Sequence, residues 1–291
     1  MDGRPANVPY TIQLDAGGSY QVKALSDSGD LTGSLVEGTE ASGPCRPFVV
    51  IGGATCGSVP AGCAACDVVF DQLLPLPSWG TKYYTVPVQG VNTATYRILA
   101  SEDNTLVTIG GVGSIALNAG QTHTVSGSIV PRCIEADRPI IVTQFMDGYA
   151  CASIGDPSMG VLSPVERISR NASFHVTGSA QTNQFRLSVV IPSSAVGTFT
   201  LDGATVSPTL FQPYPDCADR SFASITVASG VHRIQSSAGF QAYLFGYGWG
   251  ESYATAVHGI GIPPVQEDSL VCGGGTITLT APFPLRSTVL A

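Results

Sequence analysis

Tyr96-Arg97-Ile98-Leu99-Ala100-Ser101-Glu102-Asp103-Asn104, followed by Leu106-Val107-Thr108-Ile109-Gly110-Gly111, decides the fold class. Tyr96–Ala100 alternates as a strand, Ser101–Asn104 is made of turn formers, and Leu106–Ile109 alternates again. Gly110-Gly111 then predicts a hairpin into Ser114–Leu117, and Ala119-Gly120 a tight turn into His123–Val125. Phe185-Arg186-Leu187-Ser188-Val189-Val190 opens a second such series, with Thr198–Leu201, an Asp202-Gly203 turn and Ile225–Val227. Leu14-Asp15-Ala16-Gly17 with Val22, Leu117-Asn118-Ala119-Gly120 with Val125, and Val227-Ala228-Ser229-Gly230 with Ile234 look alike. Each precedes an apolar run: Arg46-Pro47-Phe48-Val49-Val50-Ile51, Asp137-Arg138-Pro139-Ile140-Ile141-Val142, and Gly239-Phe240-Gln241-Ala242-Tyr243-Leu244. Recurrence at this spacing predicts a repeated β unit.

Composition agrees. The 291 residues are 44% hydrophobic, enough for real cores, and only 12% charged, with 34 Gly and 20 Pro to break the chain into short strands. No window sustains a helical apolar period. The expected class is all-β, as tandem β-sandwich-like modules with internal repeats and disulfide-stapled loops. The modules are expected at 1–90, 91–180 and 181–264, with a strand tail at 265–291. Inserts at about 56–87 and 147–177 carry Leu73-Leu74-Pro75 and Leu162-Ser163-Pro164, each followed by a strand, Tyr83–Val86 and Phe174–Val176.

The first module begins directly at Tyr10 and has no room for the opening aromatic-Arg-aliphatic strand and its partner. Another segment is expected to cover that edge, since bare strand edges are sticky. Val271-Cys272-Gly273-Gly274-Gly275-Thr276-Ile277-Thr278-Leu279-Thr280 reads as a strand without a hairpin partner. Thr276, Ile277, Thr278 and Leu279 are therefore candidates for strand addition, within the chain or to a neighbour. The alternative is that they begin a further domain.

The net charge of −8, with Lys23 and Lys82 as the only lysines, argues against nucleic acid or an anionic membrane as a partner. No apolar run reaches the roughly 18 residues of a membrane span, and Met1–Pro5 lacks a signal-peptide layout, so a leader is cleaved, omitted or never present. Eight cysteines, Cys45, Cys56, Cys63, Cys66, Cys133, Cys151, Cys217 and Cys272, most of them in turn-like sequence, predict structural disulfides from an oxidising compartment. Cys45, Cys56, Cys63 and Cys66 are expected to staple one loop locally. The same four would make an all-thiolate zinc site, and Cys63-Ala64-Ala65-Cys66 has redox spacing but no βαβ setting.

The chain resembles the IgGFc-binding protein amino-terminal domain family. The match lies in Asp71-Gln72-Leu73-Leu74-Pro75, Ser78-Trp79-Gly80-Thr81 and Tyr96–Thr105. It continues in Leu117–Gly120, Asp137-Arg138-Pro139, Gly155-Asp156-Pro157 and Phe245-Gly246-Tyr247-Gly248. The resemblance runs from about residue 12 to 260. It implies an extracellular adhesion or matrix-type module, as in a mucus-associated animal protein and in microbial secreted or surface proteins. It carries over no antibody-contact residues. The tail also looks similar to the opening strand of immunoglobulin-like repeats in bacterial surface proteins.

Catalytic signals are weak. His123, His175, His232 and His258 are scattered, and His123 and His232 read as strand-surface residues. There is no nucleophile elbow, zincin motif or P-loop. Asp27, Asp30, Glu102, Asp103 and Asp156 are explained by turn chemistry better than as a glycosidase pair. Asp27-Ser28-Gly29-Asp30 lacks the full calcium ligand ladder. Asn171-Ala172-Ser173 is a glycosylation sequon. Trp79 and Trp249, near Tyr83, Tyr84, Tyr247 and Tyr253 in sequence, suit a joint between sandwiches better than a sugar platform.

No catalytic residue, metal or cofactor is expected. The expected role is non-enzymatic adhesion or structural display at the cell surface, with a protein, a glycan or further copies of the chain as partner. A filament subunit using its tail strand and a carbohydrate-binding or carbohydrate-active protein are the alternatives. Deleting 265–291 separates the first two, and a glycan array with hydrolysis assays tests the third.

Overall fold

The computed structural model describes residues 3–26, 28–38, 48–91, 93–257, 276–281 and 285–290. The protein is all-β. Two compact units emerge, one of Met1–Val50, Ala119–Thr122 and Pro263–Ala291, the other of Ile51–Asn118 and His123–Ile262.

In the first unit, β1 (Tyr10–Gln13) and β3 (Leu35–Gly38) flank a strand from the far end of the chain, β21 (Thr276–Thr280). Both pairings are antiparallel, with Tyr10 opposite Leu279 and Val36 opposite the same Leu279. β2 (Ser19–Ala24) pairs with β22 (Leu285–Leu290). Leu279 and Ala281 are buried among Tyr10, Val22, Leu31 and Val36. The tail thus contains a second strand, β22, that its sequence pattern did not announce.

The second unit opens with a two-stranded hairpin, β4 (Ile51–Gly57) and β5 (Asp67–Gln72). A seven-stranded sheet follows. It contains β6 (Gly80–Thr85), β7 (Ala94–Ala100), β8 (Thr105–Ile109), β9 (Gly113–Leu117), β10 (Thr122–Ser128), β11 (Arg132–Met146) and β12 (Ser158–Val161). The eight-stranded sheet contains β13 (Ser169–Val176), β14 (Thr182–Pro192), β15 (Thr200–Leu201), β16 (Ala204–Thr205), β17 (Gln212–Pro213), β18 (Arg220–Thr226), β19 (Gly230–Gly248) and β20 (Ser252–Ala256).

β11 pairs with β6, β7, β8 and β12, and β19 pairs with β13, β14, β15 and β20. Each is long enough to leave one set of neighbours and join another. The β8–β9 hairpin closes at Gly110-Gly111, and β15–β16 at Asp202-Gly203 with both residues at positive φ.

The three look-alike turns differ from expectation. β1 and β2 do not pair with each other, β9 pairs with β8 while β10 pairs with β7, and β14 separates β18 from β19. Each turn, with Gly17, Gly120 or Gly230 at positive φ, carries the chain onward to a different strand partner instead of closing a hairpin. The second lies between β9 and β10, the third between β18 and β19, so they occupy different steps in their sheets.

The apolar run of β19 is buried on both faces for a physical reason. Phe240, Ala242 and Leu244 enter the core around β14 and β18, whereas Tyr243, Phe245 and Tyr247 enter the core around β7 and β11. A strand that serves two cores reads as continuous hydrophobicity, while the first half of β19, wet on one side, alternates. Burying a side chain such as Leu244 or Phe245 contributes roughly 1.5–3 kcal/mol.

Candidate interaction surface

Among the described residues, three disulfides tie loops of the second unit to one another and to its strands. Cys56, near the end of β4, bonds Cys66, just before β5, ten residues on, closing the loop between the two strands. Cys63 does not join that local staple. It bonds Cys151, 88 residues on, tying the β4–β5 loop to the short helix Tyr149–Ala152 that follows β11. The Gly148 N–H donating to the Val59 carbonyl at 2.7 Å brings these segments together. Cys133 bonds Cys217 across 84 residues, joining β11 to the segment before β18 beside Tyr84 and Tyr214. Cys63 and Cys66 sit in different disulfides, and the described residues contain no free cysteine. Cys45, Cys272 and His258 lie outside the described residues.

Ionisable groups are engaged by the fold. Cys133, Glu135 and Cys217 bring potential ligand atoms within 4.8 Å, but the two sulfurs are bonded to each other and Glu135 pairs with Lys82 at 2.5 Å. Glu102 pairs with Arg138 at 3.0 Å. Asp30 accepts the Thr32 N–H at 2.9 Å, an Asx turn, while Asp27 lies outside the described residues. Asp147 is fully buried, and its Oδ2 accepts the Thr93 hydroxyl at 2.8 Å. Burial holds its carboxyl above the usual range, outweighing the Thr95 and Thr93 hydroxyls. Burial likewise raises Asp156, helped by Asp67 and Glu251.

His232 has a partner that its surroundings in sequence did not reveal. Its Nδ1 lies 2.7 Å from Asp202 Oδ2 and its Nε2 2.9 Å from the Ala228 carbonyl. Both partners are acceptors, an arrangement that favours the ring with both nitrogens protonated. Burial alone would lower its pKa, but the Asp202 carboxylate and the Ala228 carbonyl raise it above 6.5. Asp202 is lowered by the Arg233 backbone N–H and then by His232. This clamp pins the β15–β16 turn to β19.

Asn171 is exposed on β13. Tyr83, Tyr84 and Tyr247 are buried, but Trp249 is 79% exposed and plugs no joint. Trp79 donates its indole N–H to the Leu74 carbonyl at 2.9 Å. A shallow, open depression of about 320 Å³ is lined by Gly178, Ser179, Thr182, Asn183, Phe185 and Ser229, all neutral.

The β4–β5 hairpin carries the most conspicuous surface. Ile51, Val68 and Phe70 are 66%, 52% and 62% exposed on one face. On the other face Val69 is buried, and Asp71 Oδ2 accepts the Val161 N–H of β12 at 2.7 Å. Phe70 stands opposite Gly53, and a Cβ at Gly53 would meet Phe70 Cβ at 2.7 Å and the Val69 carbonyl at 2.0 Å. Glycine is required there because any side chain would collide with the β5 backbone at Val69.

The model of the IgGFc binding protein family matches residues 1–246. The chain is similar to the IgGFc-binding protein of Homo sapiens, with 25% identity over 244 residues, 81% of this chain. It spans 4% of the length of that relative. No solved structure matches it. With most of its residues inside the family's pattern, the chain belongs to the IgGFc-binding protein family.

Proposed function

We propose that this protein is a non-enzymatic extracellular module that binds other macromolecules for adhesion or structural display at a cell surface. The observation that carries this reading is the pair of disulfides, Cys63–Cys151 and Cys133–Cys217, that cross-link loops of 88 and 84 residues. Such bonds persist in oxidising compartments and suit a scaffold exposed to an uncontrolled environment. Family membership supports a protein as partner, although the Fc binding in the relative's name belongs to that protein. The matching strand neighbourhoods of β11 and β19 support a modular plan of 1–90, 91–180 and 181–264 with a tail at 265–291. Asn171 is offered as a glycan attachment point in a host that glycosylates.

The test is the full oxidised chain, immobilised and exposed to panels of extracellular proteins and glycans, with glycoside and peptide hydrolysis assayed in parallel. Saturable binding without turnover supports the reading; turnover that survives repurification overturns it. A second reading, self-assembly by exchange of the tail strand, is favoured by β21, which is inserted between β1 and β3 from more than 230 residues away. A chain lacking 265–291 would then fail to assemble.

A further inference from the structure

Strand neighbours in the two large sheets show what an edge of β4 lacks. In β11, the segment Ile140–Met146 has β7 on one side and β12 on the other. In β19, the corresponding segment has β14 on one side and β20 on the other. β4 pairs with β5 on one side, and among the described residues no strand occupies the other.

The correspondence is fixed by sequence and register together. Arg46-Pro47 and Arg138-Pro139 stand five residues before Ile51 and Thr143 respectively, counting from the arginine. Ile51 pairs with Gln72, three residues before Pro75, and Thr143 pairs with Val161, three residues before Pro164. β5 therefore holds the place of β12, and the free side of β4 is the place that β7 and β14 fill.

The missing neighbour has a definable chemistry. β7 and β14 both contain an aromatic-Arg-aliphatic triplet, Tyr96-Arg97-Ile98 and Phe185-Arg186-Leu187. The two arginines are engaged differently: the Arg97 guanidinium, opposite Thr143, lies 5.8 Å from the Phe145 ring centre, and Arg186, opposite Phe245, donates to the Thr226 hydroxyl. At the position of Phe145, β4 has Gly53, paired with Phe70 of β5, whose side chain is 62% exposed. Gly53 has no side chain to stand between that edge of β4 and the exposed Phe70 of the neighbouring strand.

We propose that the edge of β4 left unpaired among the described residues is a strand-acceptor site. Its occupant is an extended segment of another polypeptide with an aromatic-Arg-aliphatic core. The segment adds antiparallel to Ile51–Gly57 and sets its arginine on Phe70. Backbone hydrogen bonds give the affinity and the arginine-ring contact gives the selectivity. This site goes beyond the proposed function and does not depend on whether that function is adhesion.

The probe is a labelled synthetic peptide of residues 94–103, Ala-Thr-Tyr-Arg-Ile-Leu-Ala-Ser-Glu-Asp, added to the full oxidised chain. Saturable binding is expected, with slowed amide exchange in residues 51–57. Replacing the peptide's arginine by glutamate should weaken binding by about ten-fold, as should Phe70→Ala in the chain, while Phe70→Tyr should retain it. Equal binding of a scrambled peptide, exchange protection elsewhere than β4, or no saturable binding would each overturn the proposal. The exchange measurement on the unaltered chain stands even if Phe70→Ala does not fold.

Discussion

His232 and Asp202 show how two exposed-looking residues acquire a structural role once β19 and the β15–β16 turn are neighbours. The imidazolium of His232 is favoured in the folded state, so its contribution is complete below its ordinary pKa of 6.5 and is lost as pH rises through the higher folded value. The lowered carboxyl of Asp202 works in the opposite sense: its contribution is present above 3.8 and is lost as pH falls through its depressed value. Thermal melts from pH 5 to 9 should show the melting temperature falling on the alkaline side of pH 6.5, and His232→Gln should remove that slope. A slope unchanged by the substitution would refute the clamp. Glycine matters by contact at Gly248, where a Cβ would lie 1.7 Å from the Gln181 carbonyl. Gly248→Ala should cost about 1–3 kcal/mol through forced separation of β14 and β19, read by denaturant unfolding. Neither role is visible in the chain itself, because turn-forming Asp-Gly and strand-edge His are common features with no signal of what they touch.

At the scale of elements, period-2 patterning announced the β8–β9 hairpin and the long apolar halves of β11 and β19, and it placed the Asp202-Gly203 turn, whose partner strand is β16 and not the expected Ile225–Val227. It did not give partners. A strand displays the same alternation whichever strand lies beside it, so the look-alike turns suggested hairpins where the chain passes between partners. The Leu285–Leu290 strand escaped notice for the same reason, since no turn signal pairs it with a neighbour in sequence. The tail nevertheless belongs to the first unit. Removing 265–291 should expose the edges of β1 and β3, making residues 1–50 sensitive to protease while 51–257 remains protected. Mass spectrometry of the digestion products checks this, and uniform resistance of both regions would contradict it. Tyr243 offers a contrasting test within β19. Tyr243→Ala removes a fully buried ring from a core and should cost about 3–5 kcal/mol, measured by chemical denaturation.

For the molecule as a whole, the two long-range disulfides limit the unfolded chain most. In the chain-entropy model, closing loops of 84 and 88 residues is worth roughly 4–5 kcal/mol each, against about 3 for the ten-residue Cys56–Cys66 loop. Cys133→Ser with Cys217→Ser should therefore lower the melting temperature by on the order of 10 °C, more than Cys56→Ser with Cys66→Ser. Calorimetry of the two double variants distinguishes them, and equal effects would count against the loop-length argument. The sequence by itself determined the all-β class, the acidic and lysine-poor surface, and the sites of turns, because alternation, charge and turn chemistry are local properties. Only the tertiary structure decided that Cys63 reaches Cys151, that the tail lies between β1 and β3, and that β4 keeps one edge unpaired among the described residues. Those outcomes depend on which distant backbones meet, and a strand's own residues do not encode its neighbour.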